Sequence, residues 1–293
     1  MKLRSVIGSR VAPGLVMGAL IAAMVLPASA LAHTGEFAKF NECPATTSGV
    51  FKCLYSVTNG GKIILGKKTT PIVNPVTLQG GYSEENSEGF SKFYAAINGE
   101  TLTKTPQPVP GGLAGIVPPE SAPPLVKAAL AFFFENGLTG VNATLELAKP
   151  ASEIELNDLN LEVEEGIALK LPVKIHLENP FLGSSCYVGS NSAPIPWNLT
   201  TGVTSPPAPN GPIAGKAGFV EVKEKLEIVE LTQNELVDNS WAAPKASGCG
   251  GLLSVLVDPL IDATVGLPAE AGENTAILEN TIDVATAGSV NSH

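Results

Sequence analysis

The chain has 293 residues, 18 Lys and Arg against 28 Asp and Glu, and a formal net charge of −10. That balance excludes a nucleic-acid or anionic-membrane surface, either of which needs a basic footprint. Hydrophobic residues reach 44%, ample for a core, while aromatics at 5% argue against a surface that stacks on sugars.

The first 32 residues read as a cleaved signal sequence. Lys2, Arg4 and Arg10 lead into an apolar run over 11–26, and Ala30 and Ala32 flank Leu31 in the A-x-A form read by signal peptidase. Cleavage is expected after Ala32, with Ala30 as the alternative. Pro13 and Gly14 interrupt the run, which is short for a membrane span. No cysteine follows the cut, so a lipid anchor is not expected. The leader holds three basic residues and no acid, so its loss takes the net charge to −13. The chain therefore reads as secreted and extracellular, with no stable membrane span after cleavage.

Residues 47–57 and 62–80 carry short apolar runs broken by NGG, NP and GGY, which predict strands, and TNGGK (58–62) predicts a hairpin. Acidic SEENSEGF (83–90) reads as an exposed loop. ETLTKT (100–105) reads as a strand, and the Pro-rich stretch after it as irregular up to about Ser121. A helix is expected near 121–136, capped by Ser121, with prolines in its first turn and Asn136 and Gly137 as its stop. It is apolar nearly all round over 125–134 and so should be buried against a sheet.

The strongest strand signal runs over 142–148 and 153–180. Ile154 and Leu156 share one parity, and Leu159, Leu161 and Val163 the other, so Asn157 and Asp158 mark a bulge or turn. Ile167, Leu169, Leu171, Val173, Ile175 and Leu177 then fall on one face, the pattern of a half-buried antiparallel strand. Pro172 on the other face suggests an edge position. Residues 190–217, rich in Pro and Gly, read as a surface loop and as a place to look for a ligand. Residues 218–241 alternate again, with Val220, Val222, Leu226 and Ile228 on one side. LLSVLVDPLIDATVGLP (252–268) reads as a helix broken near Asp258 and Pro259, and 274–287 as a last strand.

The expected fold is mainly β, an antiparallel sandwich or roll with two short helices and disulfide bonds. Residues 123–147 and 258–282 both read Pro-Leu, apolar helix, Gly-rich turn, strand. That echo divides the chain into β-rich halves at 33–150 and 151–293, which could equally be one continuous domain.

All four cysteines follow the leader: Cys43, Cys53, Cys186 and Cys249. An even count in an oxidising compartment predicts two disulfides. Three pairings exist, and Cys43–Cys53 with Cys186–Cys249 is favoured because the first two bracket a nine-residue turn. Zinc fails on spacing, with no C-x2-C pair and no histidine near a cysteine.

No catalytic residue is assigned. GKIILGKK (61–68) falls one residue short of a P-loop, since Lys68 stands where the magnesium-binding Ser or Thr should be. No G-x-S-x-G occurs, and His176 is the only internal histidine that could serve a serine as base. If cleavage follows Ala32, the amine and imidazole of His33 become a chelating pair, and His176 could complete a copper brace. That makes copper the one cofactor alternative to none. The carboxylates of Glu153, Glu155, Asp158, Glu162, Glu164 and Glu165 lack a calcium-loop pattern and read as a solvated face.

The leader, FLGSSCYVGS with PIPWNLTTGVTSPPAPNGPIAG, and the Cys249-Gly-Gly-Leu-Leu stretch together resemble secreted actinobacterial proteins of uncharacterised function. The resemblance covers most of the second half, implies secretion and carries no catalytic motif. The expectation is a non-enzymatic structural, adhesive or ligand-binding protein with an unknown extracellular or cell-envelope ligand. The alternatives are a copper enzyme or carrier built on His33, a hydrolase using His176, and a lipid or small-molecule carrier whose cavity is lined by the helix at 125–134.

Overall fold

A computed structural model describes residues 32–115, 120–134 and 138–293. The expected leader, up to Leu31, and the helix stop at Asn136 and Gly137 lie outside the described residues. His33–His293 forms one compact unit.

The fold is mainly β. Its strands are β1 (Lys52–Leu65), β2 (Lys68–Pro71), β3 (Val76–Glu85), β4 (Ser91–Ala95), β5 (Pro106–Pro108), β6 (Asn142–Leu147) and β7 (Glu155–Leu156). Then follow β8 (Leu169–Glu178), β9 (Tyr187–Val188), β10 (Ile195–Leu199), β11 (Phe219–Lys223), β12 (Ile228–Asp238), β13 (Ala246–Ser247) and β14 (Thr275–Thr286). The α-helices are α1 (Pro124–Phe134), α2 (Ser254–Val265) and α3 (Ala287–Ser292), one more than expected. Every strand joins one antiparallel sheet, in the main order β11-β12-β14-β1-β3-β4-β7-β8-β6-β5.

The sheet is rolled and meets itself. β10 pairs with β8, and the next residue, Thr200, exchanges both backbone hydrogen bonds with Val237 of β12 at 3.0 and 2.9 Å. Lys216 and Glu235 repeat the exchange at 2.9 Å each. The path β12-β14-β1-β3-β4-β7-β8-β10 thus returns to β12, a ring of eight strands. β8 is the hub, pairing with β7 and β6 along one edge and with β10 and β9 along the other. Its alternation is as expected: Leu169, Leu171, Val173, Ile175 and Leu177 are buried, and the residues between them are half-exposed.

Several expectations are corrected by these pairings. Pro172 sits in a central strand, not at an edge. It faces Pro196 of β10, and its carbonyl accepts from Ala148 N–H on the other side, so its missing donor falls where β6 has just ended. TNGGK is not a hairpin: β1 runs straight through it with a bulge between Thr58 and Gly60. Gly61 holds φ +96°, and a Cβ there would strike the Ile277 carbonyl of β14. The turn lies at Gly66 and Lys67, joining β1 to β2.

Residues 100–105 form only an isolated bridge from Leu102 to Leu78, while the Pro-rich segment after them contributes β5. There the buried Gln107 replaces the missing proline donors. Its Oε1 accepts from Val73 and Asn74 N–H (2.9 and 3.0 Å), and its Nε2 donates to the Asn74 carbonyl at 2.8 Å. Leu159–Leu161 is a 3-10 turn, not a strand. Val220 and Val222 are exposed because β11 is an edge strand paired only with β12, while Ile228 is fully buried.

Residues 190–217 are not a detached loop. Ile195, Trp197 and Leu199 of β10 are fully buried, and Trp197 packs edge-on against Trp241 at 6.0 Å. α2 continues through Pro259. The carbonyl that Pro259 cannot serve belongs to Val255, which is 84% exposed and open to water. Asp258 Oδ1 accepts from Cys249 N–H (2.7 Å) and Asp262 Oδ1 from Ala246 N–H (2.8 Å), which ties the helix to the loop before it.

Both favoured disulfides are present. Cys43–Cys53 joins the N-terminal 3-10 segment to β1, and Cys186–Cys249 lies beside the β9–β13 ladder. A smaller core of Phe37, Phe40, Ile228, Ala285 and Val290 gathers around the first bridge.

Loop lengths set the first prediction. Cys186–Cys249 closes a separation of 63 residues and Cys43–Cys53 one of 10. Replacing the former pair by alanine is expected to lower unfolding free energy by about 4 kcal/mol, and the latter by about 3. Urea titration reads both, and the order reverses if the short bridge carries the larger share.

A second prediction concerns pH. Burial raises the carboxyls of Asp238 and Asp283 above the usual range, against the N–H groups of Asn198 and Ser240 at Asp238 and the Lys39 ammonium at Asp283. The folded protein therefore holds these protons to higher pH than the unfolded chain does. The associated stability is complete below the ordinary carboxylate range, about pH 4, and is lost as pH rises through the raised values. Asp158 works the other way: burial raises its carboxyl, but Lys52 at 2.5 Å outweighs that and holds it low. Its contribution is lost only below the ordinary range. The melting temperature is expected to fall as pH rises out of the carboxylate range toward neutrality, and Asp238→Asn to flatten the slope.

Candidate functional site

The inward residues of the rolled sheet do not fill it. A cavity remains, with about 110 Å³ open to the centre of a water-sized sphere, inside roughly 1280 Å³ of atom-free space that includes its mouth. The smaller figure describes what is enclosed and is used below. β8 supplies Leu169, Leu171, Ile175 and Leu177, facing Ala143 and Leu145 of β6 and Leu278 of β14. α2 closes one side with Ile261, Thr264 and Val265. On β6, Ala143 and Leu145 are more accessible than Thr144 and Glu146 between them, because the aliphatic pair faces the cavity.

The lining is largely aliphatic and, among the described residues, contains no aromatic ring. Its polar members are few and mostly occupied. Thr58 Oγ1 donates to Asn280 Oδ1 (2.7 Å), Asn280 Nδ2 to the Leu278 carbonyl (2.9 Å), and Thr264 Oγ1 to the Leu260 carbonyl (2.8 Å). Gln107 is consumed in joining β5 to the β2–β3 connection. Among the described residues, Lys68 is the one charged member of the lining. The β1–β2 register explains its place: Leu65 opposes Lys68 and Ile63 opposes Thr70, so all four point inward. Lys68 is half-buried, at the rim, where a Cβ on Gly115 would stand 2.5 Å from its Nζ and 3.8 Å from Thr264 Cγ2. Among the described residues it has no hydrogen-bond or ion-pair partner.

The outer side of α2 is also apolar. Its exposed residues are Val255, Leu256, Pro259, Leu260 and Ala263, preceded by exposed Leu252 and Leu253. The two aspartates of the helix are turned to backbone N–H groups, so no polar residue of α2 is exposed.

A cavity lined by α1 was the expectation. Its Leu125 and Val126 are 82% and 44% exposed, and among the residues whose side chains are described the helix that borders the cavity is α2.

The other candidate residues lie elsewhere. His33 precedes the N-terminal 3-10 segment, with its N–H on Asn41 Oδ1 at 2.6 Å. His176 is in β8, stacked on Tyr187 at 4.4 Å, with Nδ1 3.6 Å from Glu146 and 3.8 Å from Glu178. The two histidines have no partner in common. Among the described residues no three His, Cys, Asp or Glu side chains are grouped to hold a metal ion.

No serine is among the partners of His176, and Ser185 Oγ donates instead to the Gly248 carbonyl at 3.2 Å. Of the acidic run, Glu155 pairs with Lys170 (2.6 Å), Asp158 with Lys52 and the Tyr82 hydroxyl (3.1 Å), and Glu164 accepts from Ala217 N–H (3.1 Å). Burial, and then the Asp158 charge, push the Tyr82 hydroxyl well above its ordinary value.

Sequence reasoning named a cavity only as an alternative and did not place its lining on β8 and β6. The signal available was the even run of Leu, Val and Ile in β8 and β6 without one ring to fill the middle of a rolled sheet. Comparison with known proteins gives no matching family model, no similar curated protein and no similar solved structure.

Proposed function

We propose that this chain is a secreted, non-enzymatic protein that binds an apolar small molecule or lipid chain inside its rolled sheet. The cavity carries the reading: an aliphatic lining that excludes water gains dispersion contact and hydrophobic free energy from any alkyl group that enters. Two disulfides, and the absence among the described residues of a helix long and apolar enough to cross a membrane, are consistent with the extracellular part of it.

The enclosed space is somewhat smaller than an engineered cavity of about 150 Å³ that takes benzene, so it suits about six carbon atoms. Each buried methylene contributes about 0.8 kcal/mol. Octanol is therefore expected to bind saturably in calorimetric titration, with a negative heat-capacity change. Ala143→Phe places a ring in the cavity and should weaken octanol binding at least about tenfold while the urea midpoint is kept or raised. Absence of octanol and octanoate binding to the disulfide-bonded protein overturns the reading.

A further inference from the structure

We infer that the ligand is a single-chain amphiphile with an anionic head group, held tail-first, with the head paired to Lys68. The inference rests on the cavity being the binding site and specifies what that site selects.

Three observations carry it. First, among the described residues the lining offers one charge, a cation that is half-buried, while the rest of the lining is largely aliphatic. That separation matches a molecule whose charge stays near water while its chain is buried. Second, the ammonium is uncommitted. The half-buried lysines of the other strands are paired: Lys52 with Asp158, Lys170 with Glu155, Lys174 with Glu146 and Lys223 with Glu230. In a chain with ten more acids than bases, an inward-facing lysine left without one is a site kept for an external anion. Third, the space admits about six carbons against a largely aliphatic lining, enough for one chain but not two, and among the described residues no ring lines it to stack on a planar ligand.

Gly115 belongs to the same arrangement. It holds φ +65°, and a side chain there would meet the Lys68 ammonium, so the glycine leaves room for the ammonium at that position. Carboxylate and phosphate heads share the chemistry an ammonium recognises as a point charge, and the probes below separate them.

The test is calorimetric titration of the intact disulfide-bonded protein with an octyl series: octanoate, octyl phosphate, octanol and octyltrimethylammonium. One or both anions should bind at least about tenfold more tightly than octanol, and the cationic member most weakly. The tighter of the two anions identifies the head group. Lys68→Met should bring the anions to the octanol level, and a urea midpoint like that of the parent protein shows that the variant is folded. Lys68→Arg should retain the preference. Equal binding of octanoate, octyl phosphate and octanol, or anion binding unaffected by Lys68→Met, overturns the head-group assignment while leaving an apolar site standing. Failure of every member to bind overturns both.

Discussion

The closure of the sheet between β10 and β12 is the constraint on which the rest depends. Two backbone pairs, Thr200 with Val237 and Lys216 with Glu235, turn an antiparallel sheet into a ring of eight strands. A ring of that size has an interior wide enough for side chains to fill, or for one small ligand. Here the inward positions are Leu, Val, Ile and Ala, which reach less far across the middle than aromatic rings would. The unfilled space follows from that choice of residues combined with closure; neither alone would produce it. The two tryptophans, Trp197 and Trp241, pack against each other beside the closure and do not line the cavity.

Closure also explains the polar groups found inside. Backbone donors and acceptors at strand ends must be met, and prolines at several ends cannot meet them. Gln107 does so for β5, and Asp258 and Asp262 for the loop beside Cys249. Once these structural uses are assigned, Lys68 stands apart, because it lines the cavity and, among the described residues, no carboxylate meets its charge. The same separation of roles holds on α2. One side of the helix lines the cavity, its acids are spent on the loop, and its outer side is left with aliphatic residues alone.

Much of the fold could be read from alternation. β8 and β6 follow the period-2 pattern closely, because alternate residues of each face opposite sides of the sheet, while β12 and β14 keep it only in part. The misreadings cluster where glycine or proline was taken as punctuation. Gly60 and Gly61 are a bulge, Pro172 and Pro196 sit opposite each other in central strands, and Pro259 lies within a helix. Each of these residues breaks regular structure only when the backbone group it lacks or displaces has to be used there. Whether it must be used depends on the neighbouring strand, which local sequence does not specify. The candidate residues show the same limit. His33 and His176 were joined by chemistry on paper, whereas the fold gives them different neighbours. Lys68 was set aside as the wrong residue for a phosphate loop.

By itself, the sequence determined the mainly-β class, the two disulfides and the buried face of β8, since burial periodicity and cysteine parity are local or arithmetic properties. Only the tertiary structure decided that the Pro-rich segment after Cys186 enters the ring as β10, that α2 borders the interior, and that Lys68 points into it. Those outcomes depend on which strands meet across the closure. Strand partnership is a long-range choice among many apolar faces of similar strength, so no single segment encodes it.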